Sequence, residues 1–574
     1  MIKIDNLSVA FDGPEVVKNV SFTIGDGEIL GVVGESGSGK SVTALTLMGL
    51  VSESARVTSG EIYYDDQLLL KAGEPRNNAL YRQYQGLKMS MVFQEPMTSL
   101  NPTMKVGTQV EEVLLLHDKQ ESGAQSKTKD AAPAKAKASG TNHAEPKKEE
   151  NKNALIAWHE KRVQEKLDRK KRVLEALLSV GLKDVERVYD CYPHQLSGGM
   201  RQRVMIAMAV ILHPGLIVAD EPTTALDVTV QNQIIDLLRK INQEQKNSLL
   251  FITHDLNLAR RLCDRILVMQ DGCIVEEGAT EDIFGDPRGD YTKKLISAVP
   301  GRTGKKKSAH QKLKEACGDQ VDGQKRELKP LVEVRDLSVS YRENANSLFG
   351  KTIKKTVVTN ATFDLYEGEI LGLVGESGCG KTTLSKAILG LNKMVEGSIV
   401  HHSNSPQMVF QDPYSSLNPS KTIGWLLQEP LRAQGILDPS KAMTEKDRVA
   451  AAYDMLHKVG LKDKYYTRRP SQLSGGQRQR ISIGQALITR PGLVIADEPV
   501  SALDVTIQAQ ILDLIRSLQE ELKTAFLFIS HDINVIYQVS DRIMVMKDGK
   551  ILEIGDTEEV FQHPKDPYTK ELLR

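Results

Sequence analysis

The 574-residue chain is poor in cysteine and has no excess of charge of either sign. Its five cysteines are far apart and form no C-x-x-C pair, which gives no indication of a disulfide framework or of a zinc or iron–sulfur site. Lysine and arginine total 75, as do aspartate and glutamate, so no overall field favours nucleic acid. No apolar run approaches the roughly 18–20 residues that span a bilayer, and the N-terminus lacks a signal-peptide layout. We therefore expect a soluble cytoplasmic protein, which a partner could hold at a membrane.

What the chain does contain is one set of motifs, present twice in the same order. Residues 34–41 read GESGSGKS and residues 375–382 read GESGCGKT, and each stands between an apolar strand pattern and an amphipathic helix pattern. The two motif lysines lie 341 positions apart, whereas the later motifs lie 277 apart, so the first copy is the longer one. The length is sufficient for two domains, each with its own core.

The extra length of the first copy has a visible source. Residues 118–153 are rich in Lys, Ala, Glu and Ser and have almost nothing to bury, so we predict a disordered insert there. A charged amphipathic helix is predicted from about 154 to 178. Residues 301–330 have the composition of a polar, basic linker. The predicted organisation is a first domain at 1–300, this linker, and a second domain at 331–574.

Short apolar runs surround both motifs. EILGVVG and EILGLVG lead into them, LIVADEP and LVIADEP end in two acids, and SLLFITHD and AFLFISHD end in a histidine and an acid. Such continuous apolar runs are typical of parallel strands that are buried on both faces. With helices between them, they predict an α/β fold in each half.

The G-x-x-x-x-G-K-[ST] pattern is that of a phosphate loop, whose backbone amides and helix N-terminus hold phosphates. Lys40 and Lys381 would reach the β- and γ-phosphates, and Ser41 and Thr382 would hold Mg²⁺. The glycines that shape the two loops are Gly34, Gly37, Gly39, Gly375, Gly378 and Gly380. We therefore predict ATP and Mg²⁺ as cofactors of both halves.

Two acids follow each LIVAD-type run. Asp220 and Asp497, at the strand ends, would hold the metal through water. Glu221 and Glu498 come next and are placed to orient or deprotonate an attacking water, a contribution worth about 10²–10⁴-fold in rate. An acid pair that merely caps a helix is the alternative.

LSGGMRQR at 196–203 and LSGGQRQR at 473–480 each precede a long apolar helix. A Ser-Gly-Gly helix N-terminus offers a hydroxyl and bare amides to an anion. The residues concerned are Ser197, Gly198, Gly199, Ser474, Gly475 and Gly476. Within its own domain such a site would be redundant, whereas it makes sense if it faces the γ-phosphate held by the other domain.

These motifs together resemble the ATP-binding-cassette (ABC) ATPase family, over nearly the whole chain except the insert and the linker. The resemblance implies two tandem ABC-type nucleotide-binding domains, each with a P-loop core, an antiparallel edge sheet and a helical subdomain. It also implies that Gln94 and Gln411 contact Mg²⁺ and sense a transmembrane partner. Asp227 and Asp504 would belong to the segments called D-loops.

The same resemblance assigns roles to two histidines and two aromatic residues. His254 and His531, each about 34 residues after its acid pair, would contact the γ-phosphate. Phe11 and Tyr341, at the end of the first strand of each copy, would stack on adenine, an interaction worth about 1–3 kcal/mol. For these aromatics an ordinary place in the core stays open.

A narrower resemblance is carried by EPMTSLNP at 95–102 and DPYSSLNP at 412–419, with DYT at 290–292 and PYT at 567–569. These strings resemble the oligopeptide, dipeptide and nickel importer branch, and the halves resemble its D-type and F-type subunits in that order. The chain departs from that pattern in two ways. It lacks the C-terminal cysteine cluster of some D-type subunits, and its second copy lacks much of the antiparallel edge.

The resulting prediction is an ATP-hydrolysing subunit that energises a bacterial ABC importer of peptides or related small solutes. Two composite ATP sites would form head to tail between the halves. Two transmembrane permease subunits and an extracytoplasmic substrate-binding protein would be its partners, with no nucleic acid and no membrane span of its own. It would lie peripherally on the cytoplasmic face of the membrane. The alternatives are a soluble tandem ABC ATPase acting on ribosomes or in DNA repair, and an exporter ATPase; peptides, glutathione, nickel chelates and opines all remain open as solutes.

One residue of the second phosphate loop differs in chemistry from its counterpart. Cys379 stands where the first copy has Ser38. We predict that the helix dipole and Lys381 favour its thiolate and make it reactive. A buried, inert thiol is the alternative.

Overall fold

The computed structural model describes residues 1–123, 146–224, 226, 228–297, 329–343, 353–376, 378–392, 394–402, 405–412, 416–501 and 503–573. The chain divides into two compact units, the first of residues 1–226 and 230–296 and the second of residues 227–229 and 297–574. The linker predicted at 301–330 lies almost wholly outside the described residues, and the domain limits stay a prediction. Among the helices described, none combines the length and the apolar composition needed to cross a bilayer.

The first unit alternates strands with helices. Its strands are β1 (Ile2–Phe11), β2 (Glu15–Ile24), β3 (Ile29–Val33), β4 (Ala55–Tyr64), β5 (Gln67–Lys71), β6 (Met89–Val92), β7 (Leu216–Asp220), β8 (Ser248–Thr253), β9 (Arg265–Gln270) and β10 (Cys273–Ala279). Its helices are α1 (Lys40–Leu47), α2 (Asn78–Tyr84), α3 (Pro96–Ser99), α4 (Val106–Gly123), α5 (Pro146–Ser179), α6 (Val185–Asp190), α7 (Gly198–Val210), α8 (Val228–Gln245), α9 (Leu256–Leu262), α10 (Thr280–Gly285) and α11 (Asp290–Ser297).

The second unit repeats this order. Its strands are β11 (Pro330–Glu343), β12 (Ile353–Tyr366), β13 (Ile370–Val374), β14 (Val395–His401), β15 (Gln407–Val409), β16 (Leu493–Asp497), β17 (Ala525–Ile529), β18 (Arg542–Lys547) and β19 (Lys550–Asp556). Its helices are α12 (Lys381–Ile388), α13 (Ile423–Leu437), α14 (Glu445–Lys458), α15 (Gly475–Leu487), α16 (Val505–Leu522), α17 (Ile533–Val539), α18 (Thr557–Gln562) and α19 (Pro567–Leu572).

Each unit has one six-stranded sheet and one smaller antiparallel sheet. The large sheets have the orders β10-β9-β3-β8-β7-β6 and β19-β18-β13-β17-β16-β15, with only the β9/β10 and β18/β19 pairs antiparallel. The small sheets are β2-β1-β4-β5 in the first unit and β12-β11-β14 in the second. The duplicated α/β fold predicted from the sequence is therefore confirmed, and the second antiparallel edge is one strand shorter among the described residues.

Successive side chains of the central strands pack into two different apolar clusters, which explains why these strands need continuous apolar runs. In β17, Phe526 and Phe528 join the apolar cluster that includes α13 to α15, while Leu527 and Ile529 join the cluster of the antiparallel sheet and α12. Successive side chains of a strand point to opposite faces, so a continuous apolar run is needed when both faces are covered. The large sheet therefore lies between two apolar layers.

The structure narrows the expectation of disorder at 118–153. Helix α4 continues to Gly123 and α5 begins at Pro146, so both ends of this stretch are helical, and the predicted helix is longer than 154–178. Residues 124–145 lie outside the described residues. Lys, Glu and Ala are good helix formers, and extending a helix that is already packed costs no new nucleation. A composition with little to bury therefore did not prevent local helix formation.

A buried ion pair ties the antiparallel sheet to the large sheet in the second unit. Arg542 Nη1 donates to Glu369 Oε1 at 3.1 Å and to the Asp364 carbonyl at 3.2 Å, and Glu369 Oε2 accepts from the Tyr366 amide at 2.9 Å. The first unit has the same link, since Arg265 Nε donates to Glu28 Oε1 at 2.7 Å. Glu369 is fully buried, and burial raises its pKa to about 7 although the Arg542 guanidinium lowers it, so Arg542 favours the charged form of a carboxyl group that water cannot reach.

We predict that Arg542→Ala lowers the free energy of unfolding of the second unit by about 2–3 kcal/mol, because it leaves the buried Glu369 carboxyl group without its charge and hydrogen-bond partner. The value is set below that of a fully buried pair because the Arg542 side chain is 19% exposed. The measurement is urea unfolding followed by circular dichroism. Glu369→Gln in the same chain should recover part of the loss.

The matched control is Lys565→Ala, which removes an exposed pair with Glu559 at 3.0 Å. Exposed pairs contribute about 0–1 kcal/mol, so this variant should unfold almost as the parent does. Equal losses of unfolding free energy in the two variants would show that the burial of Glu369 does not make the Arg542 pair more stabilising than an exposed pair.

Candidate functional sites

The phosphate loop of the first unit turns sharply between β3 and α1. A Cβ on Gly34 would lie 2.2 Å from the Met269 carbonyl oxygen, so the strand end admits no side chain there. Gly37 has φ +81°, which favours glycine, and a Cβ on it would meet open space. Gly375 and Gly378 repeat both features in the second unit, with 2.1 Å to the Met546 carbonyl and φ +82°. The loop backbone is thus exposed to a ligand where Gly37 and Gly378 lie.

The motif lysine of each loop is held by carbonyl groups of the same loop. Lys40 Nζ donates to the carbonyls of Gly34 at 2.8 Å and Glu35 at 2.9 Å. Lys381 makes the same two bonds, at 2.7 and 2.9 Å, and both lysines are buried. Because the ammonium is fixed inside the loop, an anion that enters the loop meets a positioned positive charge.

A hydroxyl and a carboxylate meet at the start of each loop helix. Ser41 Oγ donates to Asp220 Oδ1 at 2.9 Å, and Thr382 Oγ1 donates to Asp497 Oδ2 at 3.0 Å. Burial raises the pKa of both aspartates, although the hydroxyl bonds oppose the shift. These pairs join the end of β7 to α1 and the end of β16 to α12, and their role in holding a metal stays a prediction.

Three side chains hold the second acid of the first unit. Glu221 Oε2 accepts from Gln94 Nε2 at 2.9 Å and from Thr224 Oγ1 at 3.0 Å, while Oε1 lies 3.2 Å from His254 Nδ1. Burial raises the pKa of Glu221, but the hydrogen bond and the charge of His254 outweigh it, so the pKa is lowered overall. The carboxylate form is therefore the favoured one.

The second unit assembles the same group. Gln411 Nε2 donates to Glu498 Oε2 at 2.9 Å, and His531 Nδ1 lies 3.3 Å from the same oxygen. The pKa of Glu498 is lowered, since burial is outweighed by His531, and the pKa of His531 is raised, since Glu498 outweighs burial. Glutamine, glutamate and histidine therefore converge in both units, and their roles in hydrolysis stay a prediction.

Both glutamates have an uncommon backbone conformation. Their φ values are 45° for Glu221 and 48° for Glu498, in the region that residues with a side chain rarely adopt. Each amide is fixed by the neighbouring strand, with Glu221 N donating to the Ile252 carbonyl at 2.9 Å and Glu498 N to the Ile529 carbonyl at 3.0 Å. Such conformations persist where the surroundings over-determine them, which is frequent at functional sites.

The LSGG serines cap their helices as predicted, but the two caps differ. Ser197 Oγ accepts from the Met200 amide at 3.3 Å. Ser474 Oγ accepts from the Gln477 amide at 3.4 Å, and Gln477 Oε1 accepts in return from the Ser474 amide at 3.1 Å, which completes a capping box. Gly198, Gly199, Gly475 and Gly476 form the first turns of α7 and α15. The first unit lacks the reciprocal bond because Met200 has no acceptor of that kind.

The remaining predicted residues are placed unequally. Phe11, at the end of β1, is partly buried and packs on the first core, whereas Tyr341 is 41% exposed and its hydroxyl lies 3.5 Å from Thr383 Oγ1. Asp504 precedes α16, and Asp227 lies outside the described residues. Of the two aromatic residues, Tyr341 is thus the more exposed, and it lies beside α12, the helix that follows the phosphate loop.

The expectation that Cys379 is a reactive thiolate is wrong for this structure. Burial raises the pKa of the Cys379 thiol more than Lys381 lowers it, and the residue is only 7% exposed. A Lys two residues away does not compensate for the loss of water around the sulfur. Cys191, Cys263, Cys273 and Cys379, the cysteines within the described residues, all carry free thiols.

The residues present fit a magnesium–nucleotide complex. Ser38 Oγ, within the loop of the first unit, is buried and has no hydrogen-bond partner among the residues that the structure describes. Mg²⁺ prefers oxygen ligands and takes one or two carboxylates together with phosphate oxygens, so the Ser41 and Asp220 pair is a suitable donor set. No group of three His, Cys, Asp or Glu side chains within the described part of the chain could hold a metal. Any Mg²⁺ here would therefore depend on phosphate oxygens as well.

Sequence reasoning missed two kinds of residue around these sites. Thr224, which donates to Glu221, was not singled out, and its counterpart Ser501 donates instead to the Glu498 carbonyl at 3.2 Å. Tyr291 and Tyr568 were noted only as parts of short strings, yet their hydroxyls accept from loop amides at 3.3 Å. Their equal spacing of 277 from first to second copy, shared with the acid pairs, was the available signal.

Comparisons with known proteins agree with this geometry. The model of the ABC transporter family matches residues 17–224 and 358–501, once in each unit. The model of the oligopeptide/dipeptide transporter C-terminal region matches residues 275–323 and 552–574. The phosphate loops, the acid pairs and the LSGG motifs fall inside the first of these matches, and Tyr291 and Tyr568 fall inside the second, whereas His254 and His531 lie outside both.

Relatives of known name match over the whole chain. The glutathione import ATP-binding protein GsiA of Escherichia coli strain K12 is 39% identical, and the match covers 100% of this chain and 89% of that protein. The protein of the same name from Pectobacterium atrosepticum is 38% identical over the same shares. Both halves are thus matched together, in one polypeptide.

Among solved structures, RNase-L Inhibitor has a TM-score of 0.58 at 20% identity and covers 97% of this chain and 91% of its own. An archaeal ribosome recycling factor, solved with the ribosomal stalk protein aP1, has a TM-score of 0.56 at 21% identity and covers 96% and 92%. Likeness at this identity shows the tandem fold alone. The family models and the full-length relatives show that the chain belongs to the ABC transporter family, as an ATP-hydrolysing subunit of its oligopeptide and dipeptide importer branch.

Proposed function

We propose that each half binds Mg–ATP at its phosphate loop and hydrolyses it with Glu221 or Glu498 as the general base. The observation that carries the proposal is the twofold occurrence of one arrangement, a carboxylate held between a glutamine and a histidine at the end of a buried strand. A lowered pKa keeps each glutamate ionised, so its carboxylate carries no proton of its own when the water binds.

In the proposed step the attacking water lies between the glutamate and the γ-phosphate. As the water oxygen bonds to the γ-phosphorus, the bond from that phosphorus to the β–γ bridging oxygen breaks, the glutamate accepts the proton of the water, and ADP and phosphate leave. The neighbouring histidine holds the glutamate in place. Lys40 and Lys381 bind the phosphates with their fixed ammonium groups. Mg²⁺, when bound, would neutralise the charge on the phosphate oxygens. The glutamines, each bonded to its glutamate, would link the metal position to the base.

The signature serines have a proposed role that is separate from the loops. Ser197 and Ser474, with the amides that follow them, would bind the γ-phosphate held by the other half, so that two composite sites close head to tail. A helix N-terminus with a capping hydroxyl is suited to such an anion. The helix N-terminus at Ser474 is held by a reciprocal cap, whereas Met200 offers no second bond at Ser197, so the Ser474 end is the more ordered of the two.

The proposed setting is an importer for short peptides, with glutathione the first solute to test. The name of the full-length relatives supports glutathione, and the C-terminal family match supports peptides. We propose two transmembrane permeases and an extracytoplasmic binding protein as partners, which would place the chain peripherally at the cytoplasmic face of the membrane. The alternative of a tandem ATPase on ribosomes has only the shared fold in its support.

We expect Glu221→Gln and Glu498→Gln together to leave Mg–ATP binding intact and to slow hydrolysis at least ~10²-fold, because the amide cannot accept the proton of the water. Steady-state phosphate release and equilibrium binding of a fluorescent ATP analogue measure the two effects. The control is Glu367→Gln, which changes an acid of the second unit that has no part in the site. A double variant that keeps full turnover would contradict the assignment of the base.

Uptake separates the proposed solute from the ATPase activity. The chain is co-expressed with the permeases and the binding protein proposed as its partners, and uptake of labelled glutathione and of a labelled dipeptide is measured. We expect uptake of at least one of them, and its loss in the Glu221→Gln and Glu498→Gln double variant. ATPase activity without uptake of either compound would overturn the proposed solute class and leave the catalytic proposal standing.

The Glu498 and His531 pair should make stability depend on pH. The contribution of Glu498 is present above the unfolded pKa of about 4.3 and is lost as pH falls through its lowered folded pKa. That of His531 is present below the unfolded pKa of about 6.5 and is lost as pH rises through its raised folded pKa. Both are therefore present between about pH 5 and 6.

We expect His531→Gln, which keeps a hydrogen-bonding side chain but removes the charge, to lower Tm more at pH 6 than at pH 9. Thermal unfolding of the nucleotide-free protein at the two pH values measures this difference. His563→Gln, at an exposed site, should show no such dependence. The same loss of Tm at both pH values in His531→Gln would mean that no charge is shared with Glu498.

A further inference from the structure

A tyrosine from the C-terminal end of each unit reaches the phosphate loop. Tyr291 in α11 accepts, through its hydroxyl, a hydrogen bond from the Glu35 amide at 3.3 Å. Tyr568 in α19 accepts from the Glu376 amide, also at 3.3 Å. The bonds are long for their type, but they recur at equivalent positions of two halves that differ in sequence. This recurrence makes a chance contact a poor explanation.

The peptide group that each tyrosine contacts is the one that holds the motif lysine. In the second unit the Gly375 carbonyl accepts from Lys381 Nζ at 2.7 Å, and the amide of the same peptide group, on Glu376, donates to Tyr568. In the first unit Gly34, Lys40 and Tyr291 are arranged in the same way. Because a peptide group is planar and rigid, the orientation of its N–H also sets the orientation of its C=O.

The turn just before each tyrosine is bonded to a glutamate of the hairpin strand. Glu276 in β10 accepts from the amides of Arg288 at 2.8 Å and Gly289 at 3.0 Å, just before Tyr291. Glu553 in β19 accepts from the amides of Lys565 at 3.0 Å and Asp566 at 3.2 Å, just before Tyr568. The turn that presents the tyrosine is therefore tied to the edge of the large sheet in both units.

The tyrosine ring of the second unit has little freedom. Tyr568 is only 6% exposed, and Lys547 Nζ lies 4.2 Å from the centre of its ring. Lys547 ends β18, and the hairpin that follows donates from the Gly549 amide to the Cys379 carbonyl at 3.0 Å. The C-terminal hairpin and the tyrosine thus contact the phosphate loop at two separate points.

We infer that Tyr291 and Tyr568 are positioning residues for ATP binding, which fix the peptide groups 34–35 and 375–376 and through them the ammonium groups of Lys40 and Lys381. Each tyrosine acts through a peptide group and a lysine, and not on the reacting atoms. The inference rests on the proposed nucleotide role of the two loops. It assigns to the C-terminal segment of each unit a task in the ATP site of that same unit.

The test is the double variant Tyr291→Phe and Tyr568→Phe in the full chain, which keeps both rings and removes both hydroxyls. A lysine that binds the phosphates equally before and during reaction changes KM and not kcat. We therefore expect the KM for ATP to rise about 2- to 5-fold, the range that loss of one modest hydrogen bond produces, with kcat within about 2-fold of the parent. An unchanged KM, or a loss confined to kcat, would overturn the inference.

Tyr537→Phe is the matched control. Tyr537 is 7% exposed in the same unit as Tyr568, and its hydroxyl lies 2.9 and 3.1 Å from the carboxylate oxygens of Glu558, so the variant removes a buried hydroxyl that bonds to α18. Its KM for ATP should equal that of the parent even if its Tm falls. A rise in KM as large as that of the double variant would show that the effect is general loosening, and would refute a specific role.

Hydrogen exchange gives a readout that needs no nucleotide. The backbone amide of Glu376 should exchange faster in Tyr568→Phe than in the parent or in Tyr537→Phe, because its acceptor is gone. Equal exchange in the three proteins would overturn the inference. A second double variant, Lys40→Ala with Lys381→Ala, tests the proposed function of the loops and should abolish ATP binding. If ATP still binds to that variant, the proposed function fails. The exchange result still decides whether the tyrosines fix the loop.

Discussion

The adjacency of four parallel strands determines where the chemistry of each half can occur. In the first unit the order β3-β8-β7-β6 places side by side the strands that lead to the phosphate loop, His254, the acid pair and Gln94. Since the carboxyl ends of parallel strands meet at one edge, residues more than 200 positions apart become neighbours. The second unit has the same order, and so the same group of side chains. Without this pairing of strands the motifs would be separate pieces of sequence with no common site.

Within that arrangement the two halves are similar in their hydrolytic groups and differ around them. Gln94 and Gln411 each bond to a glutamate at 2.9 Å, and both glutamates have lowered pKa values through a histidine. The surroundings diverge, because the second unit has one strand fewer in its antiparallel sheet and a reciprocal cap at Ser474 that Met200 cannot provide. The hydrolytic group itself differs in one bond, since Thr224 donates to the Glu221 carboxylate while Ser501 donates to the Glu498 carbonyl.

Much of the fold and of the candidate site could be predicted from short patterns. The G-x-x-x-x-G-K-[ST] loops, the LIVADEP-type strands and the LSGG caps are local, and their residue types carry their own chemistry, so the α/β fold, the family and the ATPase activity were predictable and are confirmed. Other predictions depended on surroundings that no local pattern reveals. Disorder at 118–153 was predicted from composition, yet helix extends to Gly123 and resumes at Pro146.

The sequence by itself determined that the chain carries two copies of one ATPase domain, because motif spacing and residue chemistry are written along the chain. Only the tertiary structure decided which side chains touch and in which state they are held. The bond from Gln94 to Glu221 joins residues 127 positions apart, and the bond from Tyr568 to the phosphate loop spans 192. The thiol of Cys379 lies beside a lysine in sequence, yet burial raises its pKa. Hydrogen bonding and loss of water depend on what the fold brings around a group, and neighbours along the chain are only a small part of that environment.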